Sequence, residues 1–318
     1  MSRRTTPVDT RTPPRILNET SPAEREAIQR RSRFVGYTML MVTALTWGIN
    51  WPVGKHLLQE LPPLSMRGVP GIVGAGLLAV IALAQGVSLR VPRDRWPRLV
   101  LLSVLSVSCW MGLIGLALVY LPAGETAVIG ATMPVWATMF SWPILGERLT
   151  VRRIIAMAMA IAGLVVLMGG DGVAANQAKM PGIILALLAA FGFALGTVLT
   201  KRLPLRLPPL TAAVWQLVIG CLPLVLIGIF FEHPQFTQLS TLGWWLFAYS
   251  AVLQMCVGFF CWFGALGRLP ASVAAIGTLL IPVIGVLASA ASLGEPLGVA
   301  QIGALALTIA GVALASRS

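Results

Sequence analysis

The chain has 318 residues, 57% of them hydrophobic and 11% charged, roughly half the charge of an ordinary soluble domain. So few charges would not cover the surface of a soluble helical bundle, which excludes that class. A net charge of +12 raises nucleic acid as a partner, but the basic residues gather at membrane borders, and that excludes it.

Residues 1–33 form a polar, Arg-rich, Pro-containing tail, expected to be disordered up to about Thr20. Ser21-Pro22-Ala23-Glu24 then reads as a helix start, with a Ser cap, Pro at the first helical position and Glu reaching back. The charged region is too long for a cleavable signal peptide. Ten apolar runs follow, near 34–58, 66–86, 97–120, 122–145, 151–169, 181–201, 210–231, 242–266, 270–293 and 297–315. About 20 apolar residues cross a bilayer, and backbone groups in lipid must be satisfied within the segment, so each run is predicted to be a helix.

The first span carries Trp47 and Asn50 one turn apart, then Pro52, and ends at Lys55. Pro62-Pro63 lead to Arg67. Gly68, Gly71, Gly74 and Gly76 of the second span lack the preceding strand and the following Lys-Ser or Lys-Thr of a phosphate loop; they read as close-approach positions between helices. The third span holds Ser106 and Trp110. The fourth runs from Glu125 through Gly130, Met133, Pro134 and Trp136 to Glu147. Ala156, Ala160 and Gly163 of the fifth, and Ala306, Ala310 and Gly311 of the tenth, assign those two spans to scaffold. Phe193 lies in the sixth; Tyr249, Gln254 and Trp262 in the eighth; Thr278, Pro282 and Glu295 in or beside the ninth. Trp96, Trp244 and Trp245 sit at span ends, where interfacial aromatics collect. The four cysteines lie inside apolar runs with no zinc-site spacing, so they read as small buried hydrophobes and no cofactor or metal is expected.

Two stretches echo each other. Leu121–Leu149 and Leu269–Leu297 both open on Leu-Pro-Ala, carry a central proline and close on Leu-Gly-Glu. Lys55 and Leu61-Pro62-Pro63-Leu64 are echoed by Lys201 and Leu207-Pro208-Pro209-Leu210. A near-constant offset argues for duplication of one unit. Each unit, 34–169 and 181–315, holds five spans. Five is odd, so the second copy enters the membrane from the opposite face. Charge placement agrees: with the N-terminus inside, the outer side receives only Lys55, Arg67 and Lys179 of 23 basic residues. The expected fold is all-α integral membrane, ten transmembrane helices as two inverted five-helix repeats, both termini cytoplasmic. Inverted repeats are a transporter architecture with a midplane site where interrupted helices face each other.

These residues resemble the EamA family of the drug/metabolite transporter superfamily over 34–315. The resemblance rests on Trp47-Gly48-Ile49-Asn50 with Lys55, Pro62-Pro63 with Arg67, the mid-helix prolines with terminal Gly-Glu, and Gly163 with Gly311. It implies export of amino acids or other small metabolites across the inner membrane, aromatic amino acids among them. The copies depart from one another: Phe193-Ala194 stands against Trp47-Gly48, Ala213 against Arg67, and Ile155 against Gly303.

Pro134 and Pro282 remove an amide donor in mid-span and free the carbonyls of Gly130 and Thr278. These serve either a structural kink or a cavity. Gln254, midway through its span and equivalent to Ser106, must face protein or a wet cavity. Trp262 lies two turns beyond on the same side. The candidate cavity is therefore Trp47, Asn50, Trp110, Gly130, Met133, Pro134, Phe193, Tyr249, Gln254, Trp262, Thr278 and Pro282, an aromatic lining suited to amphipathic solutes. Lys55, Arg67 and Glu125 mark an outer mouth. Snorkelling to headgroups is the favoured reading for the two cations and a substrate carboxylate the other. Glu147 and Glu295 are expected to cap or pair locally, for example with Arg148 or Arg152.

No carboxylate lies at mid-span, so a gradient-driven facilitator is expected, with proton antiport through Glu125 or a histidine as the alternative. His56 and His233 are placed at outer ends. An intramembrane enzyme lacks its catalytic cluster, a channel its continuous polar pore, and a sensor its soluble domain; a duplicated scaffold without transport is the other alternative. The expected partners are a small-molecule substrate and membrane lipid, with no nucleic acid. A monomer of ten helices encloses its own cavity.

Overall fold

The computed structural model describes residues 22–146, 172–269, 278 and 280–316, with positions 151, 154–155, 158–159, 162–163 and 165–166 between them. The N-terminal tail with Ser21, and Glu147, Arg148, Arg152, Ala156 and Ala160, lie outside the described residues. All regular structure among the described residues is helical. In chain order the helices are α1 (Pro22–Leu57), α2 (Ser65–Ala84), α3 (Arg93–Tyr120), α4 (Ala123–Leu145), α5 (Gly172–Arg202), α6 (Pro209–Glu232), α7 (Thr241–Leu266), α8 (Leu280–Leu293) and α9 (Val299–Ser316). Thus α5 to α9 correspond to the sixth to tenth predicted spans.

Six of these helices are long and apolar enough to cross a membrane: α2, α3, α4, α5 over Gln177–Arg202, α6 and α7. α8 and α9 are apolar but shorter. α1 is long, and its apolar end continues without a break from turns that carry Arg30, Arg31 and Arg33. Large apolar side chains point outward, with Phe231 80% and Trp245 72% exposed, as befits a surface that meets lipid.

Sequence sets the helix ends. Leu121 turns extended and Pro122 follows with ψ 151°, so α3 stops and α4 starts within two residues. α4 is broken, its two parts being Ala123–Gly130 and Met133–Leu145. Pro134 is therefore not the midpoint of a kinked rod. It stands in the first turn of the second part, where a missing N–H costs nothing, and Ala131–Thr132 form the break. Thr132 Oγ1 donates to the Ile129 carbonyl at 2.7 Å. Pro282 likewise falls in the first turn of α8, after Thr278, whose carbonyl accepts the Ile281 N–H at 3.1 Å.

α3 contains a π-helical turn at Val104–Ser108, and α7 one at Tyr249–Val257. Shifted by the repeat offset of about 148 residues, the first falls inside the second.

Helices of the first half pack chiefly on those of the second: α1 on α7 and α8, α2 on α6 and α7, α3 on α5 and α6, α4 on α5 and α8. The approach is close. A Cβ on Gly71 of α2 would lie 2.3 Å from Cys221 Sγ of α6, and one on Gly74 would lie 2.3 Å from Met255 Cβ of α7. Gly68, Gly71 and Gly74 thus serve helix contact, whereas Gly76 is exposed and a Cβ there would meet nothing within 4 Å. One apolar cluster joins Leu57, Leu118, Ile129, Ile183 and Val286; a second joins Leu78, Met111, Leu217, Cys221 and Met255. Each draws residues from both halves.

Candidate functional site

A stripe at helical spacing on α1 faces α7. Thr43 Oγ1 donates to the Gly258 carbonyl at 3.2 Å, and Trp47 Nε1 to the Gln254 carbonyl at 3.1 Å. Ser250 Oγ reaches Asn50 Oδ1 at 3.5 Å, and Tyr249 donates its hydroxyl to the Thr46 carbonyl at 3.0 Å. From Thr43 through Trp47 to Asn50 the partners on α7 run from Gly258 through Gln254 to Ser250, so the two helices run antiparallel. In the π turn the ladder slips by one residue, the Gly258 N–H going to the Leu253 carbonyl. Side-chain donors from α1 then serve carbonyls of the widened segment.

Trp47 also packs on Phe259 (ring centroids 5.2 Å apart) and Trp262 (5.8 Å). It thereby joins Gln254 and Trp262, as their shared side of one span predicts, though through the Gln254 backbone carbonyl. Asn50 and Gln254 are buried.

A second group sits against α4. Trp110 contacts Phe193 at 5.4 Å and Trp51 edge-on at 6.4 Å. Both tryptophans close on Gly130, where a Cβ would lie 3.0 Å from Trp110 Cη2 and 3.4 Å from Trp51 Cη2. Trp51 also lies against Gly285 of α8, so it connects α1, α3, α4 and α8. Sequence reasoning passed over Trp51; its signal was the four-residue step from Trp47 along one helix face. Trp110, Phe193 and Gly130 are brought together. Met133 and Pro134 open the second part of α4 beside them in sequence. Pro282 is buried on α8, and Thr278 precedes that helix.

The third group lies where α3 ends and α4 begins. Lys55 Nζ donates to the carbonyls of Leu118 (2.5 Å) and Leu121 (2.8 Å) at the end of α3. Arg67 is only 5% exposed, enclosed by α1 and α3. Neither cation snorkels. The negative end of α3 offers Lys55 a better partner than headgroups, and Arg67 occupies the space left by the missing side chains of Gly54 and Gly115. Glu125 is also buried, with Lys179 Nζ 2.9 Å from its Oε1.

Glu295 does cap a helix, but not locally. Its carboxylate accepts the Ala123 N–H at 2.6 Å and the Gly124 N–H at 2.8 Å, at the start of α4. Glu125, Val128, Val286, Ala290, Glu295 and Gln301 border a cavity there. Two further carboxylates act at this end. Glu232 accepts the N–H groups of Leu64 and Ser65 and the Ser65 hydroxyl. Glu60 accepts the Ser240 N–H at 2.7 Å and its hydroxyl at 2.6 Å, which hold the Glu60 carboxyl below the usual carboxylate range. Among the described residues no group of His, Cys, Asp or Glu is arranged to hold a metal ion.

The model of the EamA-like transporter family matches this chain twice, over residues 34–169 and 180–317. The chain is 31% identical to the "Uncharacterized transporter YvbV" of Bacillus subtilis, across 87% of this chain and 90% of that one. It is 26% identical to a "Probable amino-acid metabolite efflux pump" of Salmonella typhimurium, across 88% and 94%. It is 28% identical to a "Probable terminal-alkyne amino-acid exporter" of Streptantibioticus cattleyicolor, across 87% and 92%. A crystal structure 22% identical, covering 90% of this chain and 96% of its own, shares the fold with a TM-score of 0.63.

Proposed function

The chain belongs to the EamA-like transporter family, and from that premise we propose that it exports amino acids or related small amphipathic metabolites, aromatic amino acids among them, by alternating access. It is a multi-pass protein of the inner membrane. In this reading the units are 34–169 and 181–315, ten spans in all, inverted across the bilayer with both termini cytoplasmic. The two matches of one family model and the π turns at equivalent places in α3 and α7 support that duplication. A monomer suffices, because the aromatic groups draw on both halves of one chain.

The observation that carries the reading is Trp47. It belongs to the first half, bonds Gln254 and packs on Trp262 of the second. Rocking one half against the other must remake those contacts. Trp47, Asn50, Trp110, Gly130, Met133, Pro134, Phe193, Tyr249, Gln254, Trp262, Thr278 and Pro282 form the candidate path, apolar-faced with a few polar tips, which suits an amino acid with an apolar side chain. The names of the Salmonella and Streptantibioticus relatives point the same way.

Transport down the solute's own gradient is the preferred coupling, since no carboxylate stands at mid-span. Counterflow into proteoliposomes with a panel of amino acids tests the function: saturable exchange is expected, and flux that never saturates would mean a channel. Single thiols at Gln177 and Arg206 should label from opposite faces.

A second coupling is favoured by one observation, that Glu125 is buried beside a cavity in contact with Lys179. Proton antiport through Glu125 requires export to depend on an imposed pH gradient and Glu125→Gln to abolish that dependence. Uptake unaffected by the gradient leaves the facilitator.

A further inference from the structure

We propose that Arg67 is the anchor for the carboxylate of the transported solute, a proposal that rests on the transporter reading above. Arg67 leaves the first turn of α2 and enters the seam between α1 and α3. Its Nη2 lies 2.7 Å from where a Gly54 Cβ would stand, and its Cγ 3.2 Å from where a Gly115 Cβ would stand. Two glycines on two helices thus make space for one guanidinium.

Among the described residues nothing answers its charge. Arg67 Nε is buried with no hydrogen-bond partner. Among the described residues no ion pair reaches the guanidinium. It also sits at the N-terminal end of α2, where the helix dipole disfavours a cation. The described carboxylates at this end of the bundle are engaged elsewhere: Glu60 with Ser240, Glu125 with Lys179, Glu232 with Leu64 and Ser65, Glu295 with Ala123 and Gly124. Lys55, next in sequence to Gly54, is satisfied by carbonyls.

A buried, unpaired guanidinium is costly, and its planar fork matches a carboxylate with two parallel hydrogen bonds. An incoming carboxylate therefore relieves a standing cost instead of competing with a protein partner. The apolar part of the solute is left for Trp51 and Trp110, which approach each other across the neighbouring α1–α3 seam. The other copy has Ala213 at the equivalent place, so the carboxylate is held in one half only.

The test is proteoliposome counterflow with a panel of the twenty amino acids, each carried one paired with the amine that remains when its carboxylate is removed. Wild type is expected to prefer the acid. Arg67→Gln should raise KM for the acid about tenfold or more, the loss of a charge-assisted pair, and leave KM for the amine unchanged; Arg67→Lys should keep part of the preference. Equal effects on acid and amine overturn the anchor, as does wild-type transport of carboxylate-free solutes alone, while the transporter reading survives. Absence of any saturable exchange by wild type, across other metabolite classes too, overturns both. Thermal unfolding of the solute-free protein in detergent provides the second readout. Arg67→Gln should unfold at or above the wild-type temperature, because an uncompensated charge has gone. A clear drop would make Arg67 a structural strut and sink the proposal.

Discussion

The carboxylate of Glu295 closes the N-terminus of α4 at Ala123, 172 positions earlier in the chain, with 2.6 Å between Oε1 and the amide nitrogen. Glu295 ends the Leu-Gly-Glu of one echo, and Ala123 ends the Leu-Pro-Ala of the other. The two motifs that repeat along the sequence meet in space, one supplying the charge and one the unpaired amides.

Replacing Glu295 by Gln keeps the shape but removes the charge and one acceptor. The expected loss is about 1 kcal/mol, and Glu295→Ala up to about 2 kcal/mol, as for other N-terminal caps. Thermal unfolding in detergent measures it; a variant with wild-type stability would show that the cap contributes nothing.

Trp47→Phe retains the ring against Phe259 and Trp262 but deletes the donor to the Gln254 carbonyl. A buried acceptor left alone costs about 1–3 kcal/mol. Trp47→Ala also removes the packing, at about 3–5 kcal/mol. Unfolding midpoints should therefore fall in the order wild type, Phe, Ala, and the same order in counterflow rate would tie the contact to transport.

Gly71→Ala places a methyl group where Cys221 Sγ stands. Overpacking of this kind costs about 1–3 kcal/mol. Cys221→Ala removes the sulfur and should recover part of the loss in the double variant. A double-variant cycle with no coupling would deny the α2–α6 contact.

Glu60 gives a pH signature. Its folded-state carboxyl is held down by the Ser240 hydroxyl and N–H. The stabilisation is therefore complete above the unfolded carboxylate value, about 4.3, and disappears as pH falls through the lower folded value. Glu60→Gln should flatten the dependence of unfolding temperature on pH below about 4. An unaltered profile would assign the acid sensitivity elsewhere. Glu60 is half-buried at the surface, where water screens it, so the effect is small.

The sequence reveals this architecture in places where side-chain type and spacing carry the information. Apolar runs mark the helices, and the echo of Leu-Pro-Ala and Leu-Gly-Glu falls one in each of the two stretches that the family model matches. Trp47, Gln254 and Trp262 stand out as large or polar residues at mid-span and do meet. Lys55 and Arg67 look alike in sequence and are opposites in space, because the partners that separate them are backbone carbonyls, which leave no mark in the amino-acid string. Glu295 shows the same blindness: its partners are two amides, and any residue type supplies an amide. The place of the break in α4 follows from Pro134, but only geometry sets it at Ala131–Thr132. The π turns have no residue preference to announce them.

Those π turns bear on how the bundle can bend. Each amounts to one extra residue admitted into an α-helix, one at Val104–Ser108 of α3 and one at Tyr249–Val257 of α7. A helix kinks where its hydrogen-bond ladder is interrupted, so α3 and α7 are expected to flex at those segments rather than along their whole length.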